Sequence, residues 1–86
     1  MDDIADYRRK LIFRSWHRGT REMDLIMGSF ADLYVPNFSQ DELAAYEDIL
    51  QYDDPDLYNW ISGTEKPPER KNSEIMSLLL AHRFAR

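Results

Sequence analysis

Two arginines, two carboxylates and a glycine lie within residues 18–24, a segment that we name the corner. In a structural interpretation, Arg18 compensates the C-terminal dipole of a preceding helix and Gly19 makes the turn. Glu22 and Asp24 would then favour the N-terminus of the next helix. In a functional interpretation, the rigid corner presents an arginine and a carboxylate to a partner protein, beside an aromatic residue, as binding hot spots do. The residues alone leave both interpretations open.

Enzymatic arrangements are missing from the rest of the sequence. His17 and His82 are far apart and lack metal-ligand spacing, and there is no cysteine to act as a ligand or nucleophile. No Gly-x-Ser-x-Gly elbow and no glycine-rich phosphate loop occurs. The acidic run at residues 53–56 fails as a calcium loop because a proline interrupts it and no glutamate closes a twelve-residue frame. We therefore predict no catalytic, metal-binding or cofactor-binding residue.

The first predicted helix carries more apolar residues than one core can cover. Ile4, Tyr7 and Leu11 form one stripe at helical spacing. A second apolar group consists of Ile12, Phe13 and Trp16, and these three residues cannot all face the same core as the first stripe. A partly exposed apolar patch on a small domain indicates an interaction site, so we expect these three residues to anchor a partner.

Charge is divided unevenly along the chain. Residues 1–21 carry six bases and three acids, residues 22–65 carry eleven acids and no base, and residues 66–86 carry five bases and two acids. This pattern provides no continuous basic face for nucleic acid. In a structural interpretation the two basic ends pack against the acidic middle, and in a functional one the acidic surface attracts a basic partner; the residues leave both open. No apolar run approaches the roughly 20 residues of a membrane span.

The first two helices are marked by local signals. Gly19 is predicted to end the first helix and Thr20 to cap the second, which Pro36 stops. The inner face of the second helix is predicted to hold Met23, Ile26, Met27, Phe30, Leu33 and Tyr34.

Three further helices follow. A capping box begins the third at Ser39, and Asp54 is predicted to cap the fourth, with Pro55 at its first position and Gly63 at its end. The fifth begins near residue 72 or 73 and carries Phe84 among its apolar residues. We predict an all-α, compact five-helix bundle, a single domain over residues 1–86 with its core at about 7–80.

Arg18, Gly19 and Glu22 form an Arg-Gly-x-x-Glu motif, extended by Asp24, that resembles the hallmark of the SdhE-type flavinylation factors, also called succinate dehydrogenase assembly factor 2. Leu43, Tyr46 and Leu50, together with the segment Asp-Asp-Pro-Asp-Leu-Tyr-Asn-Trp at residues 53–60, are similar to the third and fourth helices of that family. The resemblance covers about residues 7–80.

The resemblance implies a non-enzymatic assembly factor. It would bind the flavoprotein subunit of succinate dehydrogenase, or of fumarate reductase, and promote covalent attachment of FAD without holding FAD firmly itself. Arg18, Gly19 and Glu22 match the functional motif. The alternative is an antitoxin-like or other small helical protein-binding module. We expect a monomer, and the acidic start of the chain favours a bacterial cytoplasm over a mitochondrial matrix.

Overall fold

The computed structural model describes residues 3–82, and within this range it contains five α-helices and no strand. The prediction of an all-α bundle is therefore confirmed. A single 3-10 turn, Val35–Asn37, follows the second helix. The helices are α1 (Asp3–Ser15), α2 (Arg21–Tyr34), α3 (Gln40–Leu50), α4 (Asp54–Ile61) and α5 (Ser73–Ala81).

Helix α1 ends four residues earlier than predicted, at Ser15 rather than beside Gly19. The buried Ser15 hydroxyl donates to the Leu11 carbonyl, and the Trp16 and His17 backbone amides bond to carbonyls three residues back. This tightening of the last turn is a common way to finish a helix. Gly19 lies in the connection that follows, with a φ of +117° that L-residues rarely adopt.

The start of α2 and the start of α3 agree with the sequence signals. The Thr20 hydroxyl accepts a hydrogen bond from the Met23 amide at 3.2 Å, as an N-cap does. Ser39 and Glu42 form the predicted capping box, each bonding the other's backbone amide.

The start of α4 is displaced by one residue from the prediction. Asp53, not Asp54, is the N-cap, and its carbonyl accepts the Leu57 amide. Asp54 is the first helical residue, and its carboxylate bonds to Arg18, which keeps that carboxylate from capping the helix. The helix closes where predicted, before Gly63 with a φ of +84°.

The core lies where α1 packs against α2 and α3, and α5 packs against α3 and α4. Tyr46 of α3 is fully buried at this crossing, with its hydroxyl oxygen 2.6 Å from Ser15 Oγ. A polar link joins α1 and α3 at the edge of the core, because Glu47 accepts hydrogen bonds from Tyr7 at 2.5 Å and from Arg14 at 3.3 Å. The buried apolar residues include Leu11, Met27, Phe30, Leu43, Ile49, Leu57, Met76 and Leu79.

Leu33 is the one predicted inner-face residue of α2 that is largely exposed, at 60%. Each residue turns an α-helix by about 100°, which places Leu33 roughly a quarter-turn from the centre of the buried face. The prediction that Leu33 belongs to the inner face of α2 was therefore wrong, because this residue lies beyond the edge of the core. Phe84, predicted on the inner face of α5, lies outside the described residues.

None of the helices in residues 3–82 has the length and apolar character needed to cross a membrane.

Candidate functional site

Arg18 fastens the corner to the junction of α3 and α4. Its Nε donates to Asp54 Oδ1 at 2.9 Å, and its two terminal nitrogens donate to the carbonyls of Leu50 and Tyr52 at 2.9 and 2.8 Å. Leu50 is the last residue of α3 and Tyr52 lies just beyond its C-cap, a region where backbone acceptors lack helical partners. The guanidinium thus supplies both hydrogen bonds and positive charge to the C-terminus of α3.

This arrangement differs from the structural interpretation made from the sequence, in which Arg18 compensates the dipole of α1. Its contacts are with α3 and α4 instead, and the side chains of Arg18 and Asp54 are only 11% and 20% exposed. Direct binding of a partner by Arg18 stays a prediction. The observed bonds assign it a positioning role, because they hold α4 against the corner.

Asp24 stabilises the corner from the other side. Its Oδ1 accepts the Arg18 backbone amide at 2.5 Å, and its own amide donates to the Thr20 carbonyl at 2.9 Å. The corner is consequently held by hydrogen bonds at both ends, around Gly19 with its positive φ. A Cβ added at Gly19 would meet no atom within 4 Å, so backbone conformation alone disfavours a larger residue there.

Glu22 is oriented differently from the other charged residues of the motif. Its side chain is exposed, and among residues 3–82 its carboxylate has no hydrogen-bond or ion-pair partner. Within the motif, the Arg18 side chain is therefore largely buried, whereas the Glu22 side chain is exposed to solvent. Glu22 remains available to a partner.

A shallow groove lies between the corner and the first turn of α4, and we name it the corner groove. Its volume is about 350 Å³. Tyr58 is 42% exposed here and Met23 is buried. The groove therefore places the motif residue Glu22 near Asp54 of α4, the residue whose carboxylate is bound by Arg18. Its lining residues are Thr20, Glu22, Met23, Asp54, Pro55 and Tyr58.

The three predicted apolar anchors have different surroundings. Phe13 is 62% exposed and stacks on the His17 ring, with ring centroids 3.9 Å apart. Ile12 is partly buried and packs against the core. Only Phe13 therefore offers a largely exposed apolar side chain of the kind the sequence predicted, and its contact with a partner stays a prediction.

Trp16 is partly buried because it lies across α2. Its indole Nε1 donates to Asp32 Oδ1 at 3.1 Å. A Cβ at Gly28 would come within 2.2–2.5 Å of three indole atoms, so the absence of a side chain at Gly28 makes room for the ring. Trp16 fixes α1 against α2 in addition to any role in binding.

Gly28, Asp54 and Tyr58 were not identified as site or positioning residues by sequence reasoning. An isolated glycine inside a strongly helical pattern is a signal of close packing, so Gly28 was detectable in principle. Asp54 and Tyr58 lie in the segment 53–60 that resembles the family, but neither residue signals contact with the corner. Their importance arises because the fold places α4 beside the corner.

Burial raises the pKa of the Tyr46 hydroxyl from its usual 10.0 to about 12. The pKa of Tyr7 is also raised to about 12, by burial and by its hydrogen bond to Glu47. Both tyrosines are neutral near pH 7, and neither lies in the corner groove. No group of three potential metal-ligating side chains is found within residues 3–82.

A family model described as flavinator of succinate dehydrogenase matches residues 9–83 of this chain. The chain belongs to this family. It is 37% identical over 82 residues to succinate dehydrogenase assembly factor 2, mitochondrial, of Dictyostelium discoideum, covering 95% of this chain and 58% of that protein. It is 37% identical over 75 residues to FAD assembly factor SdhE of Acetobacter pasteurianus, covering 87% of this chain and 69% of that protein.

A third relative has a similar degree of identity and carries the same name as the first. Succinate dehydrogenase assembly factor 2, mitochondrial, of Debaryomyces hansenii is 40% identical over 82 residues, covering 91% of this chain and 58% of that protein. The chain thus spans 58% of the length of these two mitochondrial relatives and 69% of the bacterial one. The resemblance noted from the Arg-Gly-x-x-Glu motif is confirmed at the level of the family.

Proposed function

We propose that this protein is a non-catalytic assembly factor that binds the flavoprotein subunit of succinate dehydrogenase and promotes covalent attachment of FAD to that subunit. The observation that carries the proposal is the match of residues 9–83 to the flavinator family. The names of its bacterial and mitochondrial relatives support the same function.

The chain contributes binding and not reactive groups. The bond forms between the flavin and a histidine of the partner, and such a step requires reacting atoms about 3–3.5 Å apart in the correct orientation. A protein that binds one conformation of the flavoprotein more tightly increases the population of that conformation. The corner, with Glu22 exposed and Arg18 holding α4 in place, is the surface that makes this contact.

FAD is held by the partner and not firmly by this chain. The corner groove carries the carboxylate of Glu22, unpaired within residues 3–82, which repels the diphosphate of FAD. In addition, the sequence has no glycine-rich loop at a helix N-terminus that would bind a diphosphate.

The partner is the flavoprotein subunit of succinate dehydrogenase or that of fumarate reductase, and we propose that the factor acts as a monomer. The eleven acids without a base in residues 22–65 disfavour binding to nucleic acid. The compartment stays a prediction, since relatives come from a bacterium and from mitochondria.

Co-expression tests the proposal. The flavoprotein subunit of succinate dehydrogenase is produced with and without this chain, denatured, separated by electrophoresis and examined for flavin fluorescence that stays with the polypeptide. We expect a strong increase when the chain is present. Equal fluorescence in both samples, for this subunit and for that of fumarate reductase, would overturn the proposal.

A further inference from the structure

The corner groove carries one unbalanced negative charge. Asp54 is neutralised by Arg18 at 2.9 Å, whereas the exposed Glu22 has no partner among the residues that the structure describes. Between these two carboxylates the groove is lined by apolar and aromatic groups, from Met23, Pro55 and Tyr58. A surface with an apolar floor and a single free carboxylate suits a long side chain with an apolar stem and a positive end.

We propose that the corner groove receives one arginine side chain of the flavoprotein partner, an inference that rests on the proposed function. The arginine stem covers Met23 and Pro55, and its guanidinium pairs with Glu22 beside the Tyr58 ring. A carboxylate binds a guanidinium through two parallel hydrogen bonds, and an aromatic ring adds a favourable cation–π contact.

Other occupants fit this groove less well. An acidic side chain would meet the unpaired carboxylate of Glu22, and among residues 3–82 no basic side chain lines the groove to compensate. A purely apolar side chain would remove water from Glu22 without replacing its hydrogen bonds, which is unfavourable for a charged group. A basic side chain satisfies both the charge and the apolar floor.

The groove is formed before any partner binds, because internal bonds hold its two walls. Arg18 ties the first turn of α4 to the corner, and Asp24 holds the corner backbone. A preformed site avoids the entropy of ordering loops on binding. Tyr58 and Pro55 thereby become binding residues, in addition to those of the motif.

A small probe tests the groove without the flavoprotein. The full chain is titrated by NMR with N-acetyl-arginine amide and, in parallel, with the uncharged isostere N-acetyl-citrulline amide. We expect arginine to shift the signals of Glu22, Met23 and Tyr58 several-fold more than citrulline does. In Glu22→Gln these arginine-dependent shifts should be lost, whereas Glu74→Gln, an equivalent change in the first turn of α5, should keep them. Equal effects of the two probes, or shifts located elsewhere, would overturn the inference.

A charge exchange tests the same contact in the complex. We expect Glu22→Arg to weaken binding of the flavoprotein at least about tenfold, as loss of a central charged contact does, and one Arg→Glu change in the flavoprotein to restore it. If the chain promotes flavin attachment but Glu22→Gln and Glu22→Arg bind as tightly as the original, the arginine contact is wrong and the proposed function stands. If the chain does not bind the flavoprotein at all, the proposed function fails, and the probe titration alone decides whether the groove takes arginine.

Discussion

Arg18 and Glu22 belong to one short motif, yet their side chains have opposite environments. The Arg18 guanidinium has three hydrogen bonds inside the molecule, whereas Glu22 is exposed beside the corner groove. Loss of Arg18 should therefore act through the fold, and loss of Glu22 through binding. We therefore expect substitutions at these two positions to act in different ways, one on stability and the other on binding.

Arg18→Lys should destabilise the protein by about 1–3 kcal/mol. A lysine has one nitrogen and cannot replace three donors that reach Asp54 and two backbone carbonyls, so polar groups at the end of α3 lose their partners. Urea unfolding measures the change. Arg21→Lys, at an exposed position in the first turn of α2, is the matched control and should unfold like the wild type. Identical midpoints for Arg18→Lys and Arg21→Lys would contradict the positioning role.

Tyr46 should make the fold sensitive to alkali. Its pKa is raised from 10.0 to about 12 in the folded state, so the folded protein binds a proton more tightly than the unfolded chain does. The resulting stability is fully present below pH 10 and is lost as the pH rises through 12. For one such tyrosine the loss between pH 9 and pH 11 is about 1 kcal/mol.

Urea unfolding at a series of pH values checks this expectation. Tyr46→Phe should be less stable than the wild type near pH 7, because the contact with Ser15 is lost, but its stability should decline less steeply above pH 10. Tyr7, whose pKa is also about 12, should leave part of the decline in place. A variant profile parallel to that of the wild type up to pH 11 would show that Tyr46 is not the group responsible.

Local signals in the sequence predicted some residues and could not predict others. Thr20 and the capping box at Ser39 were correct because each bonds to backbone within three residues. The hydrogen-bond partners of the Arg18 side chain were not predictable, since these acceptors lie 32–36 residues away in the sequence and two of them are backbone carbonyls. Asp54 was assigned as a cap for the same reason: its actual partner is distant in sequence.

At the scale of elements, packing of the Trp16 indole against Gly28 holds the end of α1 to α2. Trp16 lies against Gly28, and its indole donates to Asp32. The helical spacing predicted that both helices exist, but it did not predict this crossing. The early end of α1 was likewise missed, because the backbone bonds of residues 16 and 17 and the buried Ser15 decide it, and not the glycine at residue 19.

Gly28→Ala should destabilise the protein by about 1–3 kcal/mol, although an alanine in a helix ordinarily favours stability over glycine. The added methyl group would lie within 2.2–2.5 Å of the Trp16 ring, which must move. Urea unfolding gives the magnitude, and the NMR signal of the Trp16 Nε1–H should shift as its bond to Asp32 is disturbed.

A double variant isolates this contact. In a Trp16→Ala background the space over Gly28 is empty, so the same Gly28→Ala change should be neutral or stabilising by up to about 1 kcal/mol. The account of the crossing fails if Gly28→Ala stabilises the protein while Trp16 is present.

At the scale of the whole molecule, the fold brings Glu22, at the start of α2, beside Asp54 and Tyr58 of α4 in the corner groove. Helical spacing and capping signals predicted the all-α class, because these signals depend on residue type and spacing alone. The groove itself was not predictable, since it exists only where α4 packs beside the corner. Family membership then gives this surface its proposed task, the binding of a flavoprotein.

The most direct test of this account measures covalent flavin on the succinate dehydrogenase flavoprotein subunit co-expressed with Glu22→Gln or with Glu74→Gln, both changes in the first turn of a helix. Circular dichroism and urea unfolding confirm that each variant is folded. We predict that Glu22→Gln yields about tenfold less covalent flavin than the wild type, as expected for loss of a central binding contact, while Glu74→Gln matches the wild type. Full flavin attachment with a folded Glu22→Gln protein would contradict the claim that this carboxylate holds the partner.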